Sequence, residues 1–426
     1  MENIVQSKSE PTQAIRWTIL LFVSLAMFAN YYVFDALNPV GPLLESDLGF
    51  TQSQIGLLDT AYNIAALIVL IAGGVIIDRV GTKRSMILFT VIATIGGVCI
   101  ALFPSHEGMM VGRFVLGMGS EPLIVAATTI LGKWFKAKQL SFAMALNLTI
   151  ARLGSVAADN SRNIASGLFT SWQPPLIAAA AVGALCIVGG WLYAFLESHA
   201  EKKYSLGHAA QSDKLIWKEL FRFDKQYWLV VGLCVTFYSA IFPFRRFANI
   251  IFIDLHQVSS ETAAFLNGLL PLTAMIATPL FGILIDYIGR RALFLTLGAL
   301  LLIPSFLSIA YAPVTIWIPV ALLGISFSLV PAVLWPSVAY LVDEQRLGTA
   351  YALMTFCQQI GWGITSWLIG STNDVFAASS THATGYIPGL WIFSSLGIVG
   401  TICAFLLWNC ERKPNGHGLE TITVKR

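Results

Sequence analysis

Two charged residues of opposite sign lie in otherwise apolar stretches of the chain. Glu121 interrupts the run "VLGMGSEPLIVAATTILG", and Arg152 lies within "NLTIARLGS". A carboxylate can hold an ammonium group, and the planar guanidinium fork can hold a carboxylate through two hydrogen bonds. The two residues therefore predict either a site for a small zwitterion or a structural ion pair between two helices. A third interpretation is that Glu121 carries an exchangeable proton.

A second set of charges lies nearer the ends of its apolar runs. Asp35 is late in the first run, and Arg245 and Arg246 are late in the seventh. At a rise of about 1.5 Å per residue these positions have similar depth. We expect an external gate in which Asp35 bonds one of the two arginines. Alternatively, the arginines attract an anionic group of a substrate, or one extends to the outer interface.

Three further ionisable residues complete this set. Asp59, near the outer end of the second apolar run, is another candidate partner for the gate. Asp159 and Arg162 are three residues apart, and this spacing predicts a local ion pair on one helix. All six histidines fall in loops or tails, which argues against a proton relay built from histidine.

The composition shows what kind of scaffold must position these charges. Of the 426 residues, 56% are hydrophobic and 12% are charged, whereas about 25% are charged in a typical soluble domain. Repeated apolar runs long enough to cross a bilayer predict a polytopic helical membrane protein. We place spans near 17–40, 54–77, 85–103, 108–131, 139–163, 174–197, 227–253, 262–285, 292–312, 315–341, 348–371 and 387–409.

The distribution of basic residues predicts the orientation of these spans. Most of the 26 Lys and Arg residues lie in the two tails, the even-numbered connections and the central linker. By the positive-inside rule both termini are expected in the cytoplasm. The predicted organisation is a cytoplasmic tail (1–16), a first six-helix bundle (17–197), a cytoplasmic linker (198–226), a second six-helix bundle (227–409) and a cytoplasmic tail (410–426). The predicted fold class is thus all-α, with twelve transmembrane helices in two pseudo-symmetric bundles.

One motif occurs in both halves of the chain. "GGVIIDRVGTKRSMI" after the second span corresponds to "FGILIDYIGRRALFL" after the eighth. Asp78 in the first copy is at a helix end, where it is expected to accept hydrogen bonds from the amides of another helix. We interpret the motif as a cytoplasmic latch; the alternative is a solvated basic turn. The residues predicted to serve gating or conformational change are Asp78, Arg79, Gly81, Lys83, Arg113, Asp286, Asp35, Arg245 and Arg246.

These motifs resemble a known family. The pattern G-x-x-x-D-R-x-G-x-K-R, its second copy and the 6+6 layout resemble the major facilitator superfamily, as do Arg113, Gly117 and Gly119 in "GRFVLGMG". The stretch "GSEPLIVAATTILGKWFKAKQLSFAMALNLTIARLGS", together with "FYSAIFPF" and "LWPSVAYLVDEQRLGTAYALM", resembles the lysosomal dipeptide uniporter branch. In that branch a fourth-span glutamate and a fifth-span arginine are candidate anchors for the ends of a peptide. The resemblance implies these roles for Glu121 and Arg152.

The predicted function is transport of dipeptides by alternating access. The residues predicted to contact the substrate are Glu121, Arg152, Tyr31, Tyr62, Tyr238, Trp335 and Gln359. The alternative is a transporter of another small organic anion or amino acid, with or without coupling to protons. We expect no enzyme activity, metal, cofactor or nucleic-acid partner, because no catalytic cluster, metal-ligand spacing or nucleotide-binding glycine loop occurs. We expect a monomer in the lipid bilayer.

The cellular location is predicted from two smaller features. The segment "MENIVQSKSEPTQ" contains no acidic dileucine sorting signal, and the sequon at Asn147 lies inside a predicted span, where it is not glycosylated. Both features favour a bacterial inner membrane. They also argue against a need for the glycosylated accessory partner associated with the animal members of the branch.

Overall fold

The computed structural model describes residues 11–135, 139–204, 223–311, 315–343, 346–413 and 416–421. These residues form fourteen α-helices. In chain order they are α1 (Gln13–Asp35), α2 (Gly41–Leu48), α3 (Gln52–Val80), α4 (Thr82–Leu102), α5 (His106–Phe135), α6 (Leu140–Asp159), α7 (Ser161–Ile164), α8 (Gln173–Lys203), α9 (Lys225–His256), α10 (Ser260–Ile288), α11 (Arg291–Tyr311), α12 (Trp317–Leu341), α13 (Leu347–Val375) and α14 (Ile387–Glu411).

Every helix except the short α2 and α7 coincides with one of the twelve predicted spans. Within the described ranges, ten helices are long and apolar enough to cross a membrane by length and composition. Two further long helices, α6 and α13, complete the set of twelve. Each of them packs against the opposite half of the chain, α6 against α10 and α13 against α3.

The long helices form two bundles. Helices α1, α3, α4, α5, α6 and α8 pack among themselves, and so do α9 to α14. We call these groups the first half and the second half. The linker face is the end of the molecule where α8 ends and α9 begins, and the distal face is the opposite end. The predicted all-α fold of two six-helix bundles is confirmed. Residues 205–222 of the predicted linker lie outside the described residues.

In both copies of the repeated motif, a glycine forms the turn between the two helices. Gly81 between α3 and α4 has φ 83°, and Gly289 between α10 and α11 has φ 74°. Residues with a Cβ rarely adopt such angles, whereas glycine adopts them readily. The sharp turns at these glycines end α3 and α10 and begin α4 and α11 at the linker face.

The small residues of "GMG" let α5 lie very close to its neighbours. A Cβ added at Gly117 would lie 2.6 Å from the Tyr62 carbonyl oxygen, and one at Gly119 would lie 2.3 Å from the Ala93 backbone nitrogen. Backbone contacts this close require small residues. The close packing fixes α5 beside α3, and it places Glu121 within reach of the Tyr62 side chain.

Candidate substrate-binding cavity

A cavity of about 260 Å³ lies between the two halves. All seven side chains predicted to contact a substrate line it. The remaining lining residues are Asn30, Phe34, Asp35, Ile124, Ser155, Phe242, Arg245, Thr355, Gln358 and Trp362. Clefts of this kind, between domains and with a few convergent polar groups, are the usual form of small-molecule sites.

Glu121 lies midway along α5 and is bonded by neutral groups. The Tyr62 hydroxyl donates a hydrogen bond of 2.9 Å to the Glu121 Oε1 atom, and the Gln359 side chain from α13 lies within hydrogen-bonding reach of the same carboxylate. Both Glu121 and Arg152 are described residues, and no ion pair within 4.0 Å joins them. The interpretation as a direct structural ion pair therefore does not hold in this conformation.

Arg152, on α6, lies on the same cavity and faces the second half. Its guanidinium carbon is 5.0 Å from the centre of the Phe327 ring on α12, a distance at which a cation is attracted to the ring face. Tyr31 and Tyr238 lie near its charge. Since no described carboxylate lies within ion-pair distance of Arg152, its two-donor fork has no anionic partner in the described part of the chain.

The second half contributes an aromatic wall. The Trp335 indole donates a hydrogen bond of 2.9 Å to the Tyr238 hydroxyl, and the Tyr351 hydroxyl donates one of 3.0 Å to the Trp335 carbonyl. Phe242 stacks on Trp362 with ring centres 4.3 Å apart and planes inclined by 14°. These contacts fix the orientation of the rings.

Sequence reasoning did not select Phe242 and Trp362 as binding residues. Aromatic residues make up 12% of the chain, so residue type alone does not distinguish the wall from core packing. One signal was available, because Trp362 follows Gln359 by three residues and therefore shares its helix face.

Charged residues close the distal side of the cavity. Arg245 of the second half lies 3.3 Å from the Asp35 carboxylate and 2.6 Å from the Asp159 carboxylate, both in the first half. Asn38 bonds the same two carboxylates at 3.2 and 2.8 Å. Asn249 adds a 2.7 Å bond to the Asn38 carbonyl. The structure thus brings Asp35 to one of its two predicted partners and adds Asp159.

A second cluster lies beside the first. Arg246 bonds Asp59 with two nitrogens, at 3.1 and 2.7 Å, and Arg113 bonds the same carboxylate at 2.7 Å. The Arg113 guanidinium also lies 4.6 Å from the Phe34 ring centre. Asp59, Arg113 and Arg246 are at most 2% exposed. The alternative that one of the two arginines extends to the outer interface is therefore wrong, because both are buried. We call Asp35, Asp59, Asp159, Arg245 and Arg246 the distal charge network.

The predicted local pair of Asp159 and Arg162 is wrong. Helix α6 ends at Asp159, and the chain turns before α7 begins at Ser161. The two side chains therefore do not share one helix face. Asp159 bonds Arg245, and Arg162 lies 3.7 Å from Glu261.

A ring of polar contacts covers the distal charge network. Asp374, at the end of α13, accepts hydrogen bonds of 2.9 and 2.8 Å from the backbone amides of Gln52 and Ser53, which begin α3. The Gln52 side chain donates to the Tyr386 hydroxyl at 2.9 Å, and that hydroxyl donates to Asp254 at 2.6 Å. A carboxylate at the start of a helix is favoured by the helix dipole and by the free amides there.

Glu45 of α2 lies next to this ring. Burial, together with the nearby carboxylates of Asp254 and Asp374, raises the pKa of Glu45 to about 8.

The residues predicted to form a latch lie at the linker face and bond locally. Lys83 pairs with Glu201 of α8, and Arg79 is exposed. Asp286 pairs with Arg291 at 2.7 Å across the turn at Gly289. The turn places the Arg291 side chain next to this helix-end acid of the second copy. The side chain of Asp78 lies outside the described part of the structure.

Sequence reasoning missed Glu197, a buried acid at this face. Glu197 of α8 is fully buried and accepts hydrogen bonds from Thr82 at 3.0 Å, Lys133 at 2.7 Å and Trp134 at 3.1 Å. The Tyr193 hydroxyl also donates to it. Glu197 therefore joins α4, α5 and α8 at the end of the repeated motif. Its position at the end of a predicted span gave no sign of burial.

The family model of the Major Facilitator Superfamily matches residues 23–366 and 247–422. The chain belongs to the Major Facilitator Superfamily. It is 29% identical to the lysosomal dipeptide transporter MFSD1 of Danio rerio over 373 residues, 84% of this chain and 81% of the relative. It is 30% identical to the protein of that name from Gallus gallus over 319 residues, 70% of this chain and 72% of the relative.

A solved structure supports the same fold. A point mutant of the nucleoside transporter NupG superimposes with a TM-score of 0.75 over 91% of this chain and 99% of that chain, at 14% sequence identity. This superfamily member is thus an integral multi-pass membrane protein of the transporter fold. The motifs indicated a resemblance to the dipeptide transporter branch, and the sequence similarity to these named relatives confirms it.

Proposed function

We propose that this protein carries dipeptides across a membrane by alternating access, with the substrate ammonium near Glu121 and the substrate carboxylate near Arg152. The observation that carries the proposal is that two opposite charges line one cavity without pairing with each other. Each charge therefore has the capacity to accept a counter-charge from a ligand.

The electrostatics of the cavity support a zwitterionic substrate. Removing a charge from water is costly unless an opposite charge or several hydrogen bonds replace the lost hydration. Tyr62 supplies Glu121 with a neutral donor, and the Phe327 ring supplies Arg152 with only a weak attraction. A ligand with both charges stabilises both residues, whereas a simple anion stabilises only Arg152.

The relatives named as dipeptide transporters support a peptide over other zwitterions. The polar residues of the first half and the aromatic wall of the second half also fit a molecule with charged ends and variable apolar side chains. The rival substrates from the sequence, amino acids and organic acids, serve as comparison ligands in the experiment below.

The distal charge network supports the alternating-access part of the proposal. Its ion pairs join the two halves on one side of the cavity, so rocking of one half against the other breaks them. By the positive-inside rule the linker face is cytoplasmic and the distal face external. We place the protein in a bacterial inner membrane, as a monomer that binds no metal and no nucleic acid.

The test is a binding screen followed by transport. Purified protein is heated with dipeptides, amino acids or organic acids, and its unfolding temperature is measured. We expect dipeptides to raise this temperature because they bind the folded state. Proteoliposomes are then assayed for dipeptide uptake with and without a pH gradient. Stabilisation by amino acids or organic acids but not by dipeptides would overturn the proposal.

A further inference from the structure

Two polar atoms of the cavity lining are buried without a hydrogen-bond partner and are not part of an ion pair. They are the Gln359 Oε1 atom, a pure acceptor, and the Trp362 Nε1–H group, a pure donor. Both side chains line the cavity, and they are 3% and 5% exposed. The third unpartnered atom of the lining, Arg245 Nε, belongs to a side chain already held by two carboxylates.

The neighbours of the two side chains come from both halves of the chain. The two side chains lie one turn apart on α13 and therefore share a helix face. Trp362 stacks on Phe242 and meets the Phe34 ring edge-on at 5.8 Å. Gln359 is within hydrogen-bonding reach of Glu121. A donor and an acceptor of the second half therefore border the charged groups of the first half.

A buried polar group without a partner costs free energy, so its presence calls for an explanation. A peptide bond offers one N–H donor and one C=O acceptor, which complement the two unpartnered atoms of the cavity. An amino acid between Glu121 and Arg152 offers neither group. The cavity thus has partners for each polar part of a dipeptide, namely its two charged ends and the amide between them.

We propose that Gln359 and Trp362 recognise the peptide bond of the substrate. The Gln359 amide oxygen accepts from the peptide N–H, and the Trp362 indole N–H donates to the peptide carbonyl. Both atoms are covered in the empty cavity, and small rotations of the two side chains expose them; the terminal torsion of glutamine is a soft one. This inference rests on the proposed function and names the feature by which the site selects peptides over amino acids.

Three compounds with the same chain length between amine and carboxylate separate the two contacts. Glycylglycine has the peptide N–H and the carbonyl. In 5-aminolevulinate a CH₂ group replaces the N–H, and in 5-aminopentanoate both groups are missing. Each is tested as a competitor of labelled dipeptide uptake into proteoliposomes containing the full chain. For the wild type we expect glycylglycine to compete about tenfold better than 5-aminolevulinate, and 5-aminolevulinate several-fold better than 5-aminopentanoate.

Two near-isosteric variants assign each contact. Trp362→Phe keeps an aromatic ring and removes the N–H, so the preference for 5-aminolevulinate over 5-aminopentanoate should disappear. Gln359→Met keeps the side-chain length and removes the acceptor, so the preference for glycylglycine over 5-aminolevulinate should disappear. Gln359→Met also removes the contact of Gln359 to Glu121. This loss affects all three ammonium compounds alike, so it cancels when the strength of one competitor is divided by that of another.

The outcomes separate this inference from the proposed function. Equal competition by all three compounds in the wild type overturns the peptide-bond contact and leaves zwitterion transport standing. If both variants keep the wild-type ratios of competition strength among the three compounds, the assignment of the contacts to Gln359 and Trp362 is overturned. If the wild type takes up no labelled dipeptide, and none of the three compounds binds it, the proposed function itself is overturned.

Discussion

At the scale of single residues, the molecule depends on a few buried charges. Asp59 is 1% exposed and bonds both Arg113 and Arg246, which come from different halves of the chain. The buried cluster has one more positive than negative charge, and Asp59 is the common partner. Removing a shared partner leaves buried charge without compensation, a change that typically costs about 3–5 kcal/mol.

The first prediction concerns this shared carboxylate. Asp59→Asn should lower the midpoint of thermal unfolding strongly, because two buried guanidinium groups then face a neutral amide. The measurement is thermal unfolding of the purified protein in detergent. Glu107→Gln is the matched control, since Glu107 is exposed at the same face and such changes usually stay within about 0.5 kcal/mol. Equal midpoints for the two variants would show that Asp59 is not needed for stability.

At this scale the sequence predicted those charges that stand out in apolar runs, but not their partners. Glu121 and Arg152 were identifiable because charge inside a span is rare. The bond between Asp159 and Arg245 could not be identified from the sequence, because it depends on how two helices far apart in the chain pack together. The spacing of Asp159 and Arg162 even favoured the wrong partner, since the end of α6 cannot be located to one residue from sequence.

At the scale of helices, the distal closure rests on the contact of α3 with α13. A Cβ added at Gly56 would lie 2.2 Å from the Ser366 carbonyl oxygen, and one added at Gly370 would lie 2.2 Å from the Gln52 carbonyl oxygen. Both obstacles are backbone atoms, which cannot move aside as a flexible side chain does. The two helices can therefore approach this closely only where both glycines are kept.

The second prediction tests this contact. Gly56→Ala should hold the distal ends of α3 and α13 apart and reduce dipeptide uptake at least tenfold, because the closed distal conformation is no longer reached. The opening is measured as the distance between spin labels at Pro104→Cys and Ser380→Cys, in a background without the accessible native cysteines. Gly132→Ala is the control, since a Cβ there meets no atom within 4 Å. An unchanged distance distribution for Gly56→Ala would contradict the close contact.

The third prediction concerns the pH dependence of the same closure. The pKa of Glu45 is raised from 4.5 to about 8 by burial and by Asp254 and Asp374. We expect distal opening to return this pKa toward its ordinary value, because both causes depend on contact with the second half. Between about pH 4.5 and about pH 8, the closed form therefore holds one proton more than the open form. The contribution of Glu45 to closure is therefore fully present below about pH 4.5 and is lost as pH rises through about 8.

The same spin-label pair measures this effect. The fraction of closed molecules should fall between pH 6 and pH 9 in the wild type, and Glu45→Gln should flatten the curve in this window. A wild-type curve that rises with pH, or a Glu45→Gln curve that still falls as in the wild type, would show that another group controls the closure.

The helices themselves were largely predictable, for a physical reason. Hydropathy reports contact with lipid, so it located the lipid-facing helices well. The short α2 and α7 lie at the distal face and are too brief to produce a periodic signal.

At the scale of the whole molecule, the two halves contribute different chemistry to one cavity. The first half supplies the charges Glu121 and Arg152, and the second half supplies the aromatic wall and Gln359. A substrate that contacts both halves adds binding energy between them, which can alter the balance between the two orientations of the cavity. The 6+6 arrangement was predictable from the repeated motif and the polar linker. The division of chemistry between the halves depends on which helix faces meet, and the sequence does not state this.

The central claim is that Glu121 and Arg152 hold the two ends of one substrate, and capped peptides test it most directly. Alanylalanine, its N-acetyl form and its C-terminal amide are compared as competitors of dipeptide uptake in wild type, Glu121→Gln and Arg152→Gln. In the wild type each cap should weaken competition about tenfold or more, because a charge-assisted contact is lost.

The variants assign each cap to one residue. Acetylation should have little further effect in Glu121→Gln, and amidation little further effect in Arg152→Gln, since the contact each cap removes is already absent. Each variant should retain sensitivity to the other cap. If acetylation weakens competition as strongly in Glu121→Gln as in the wild type, and amidation as strongly in Arg152→Gln, the two residues do not hold the ends of the peptide and the account is wrong.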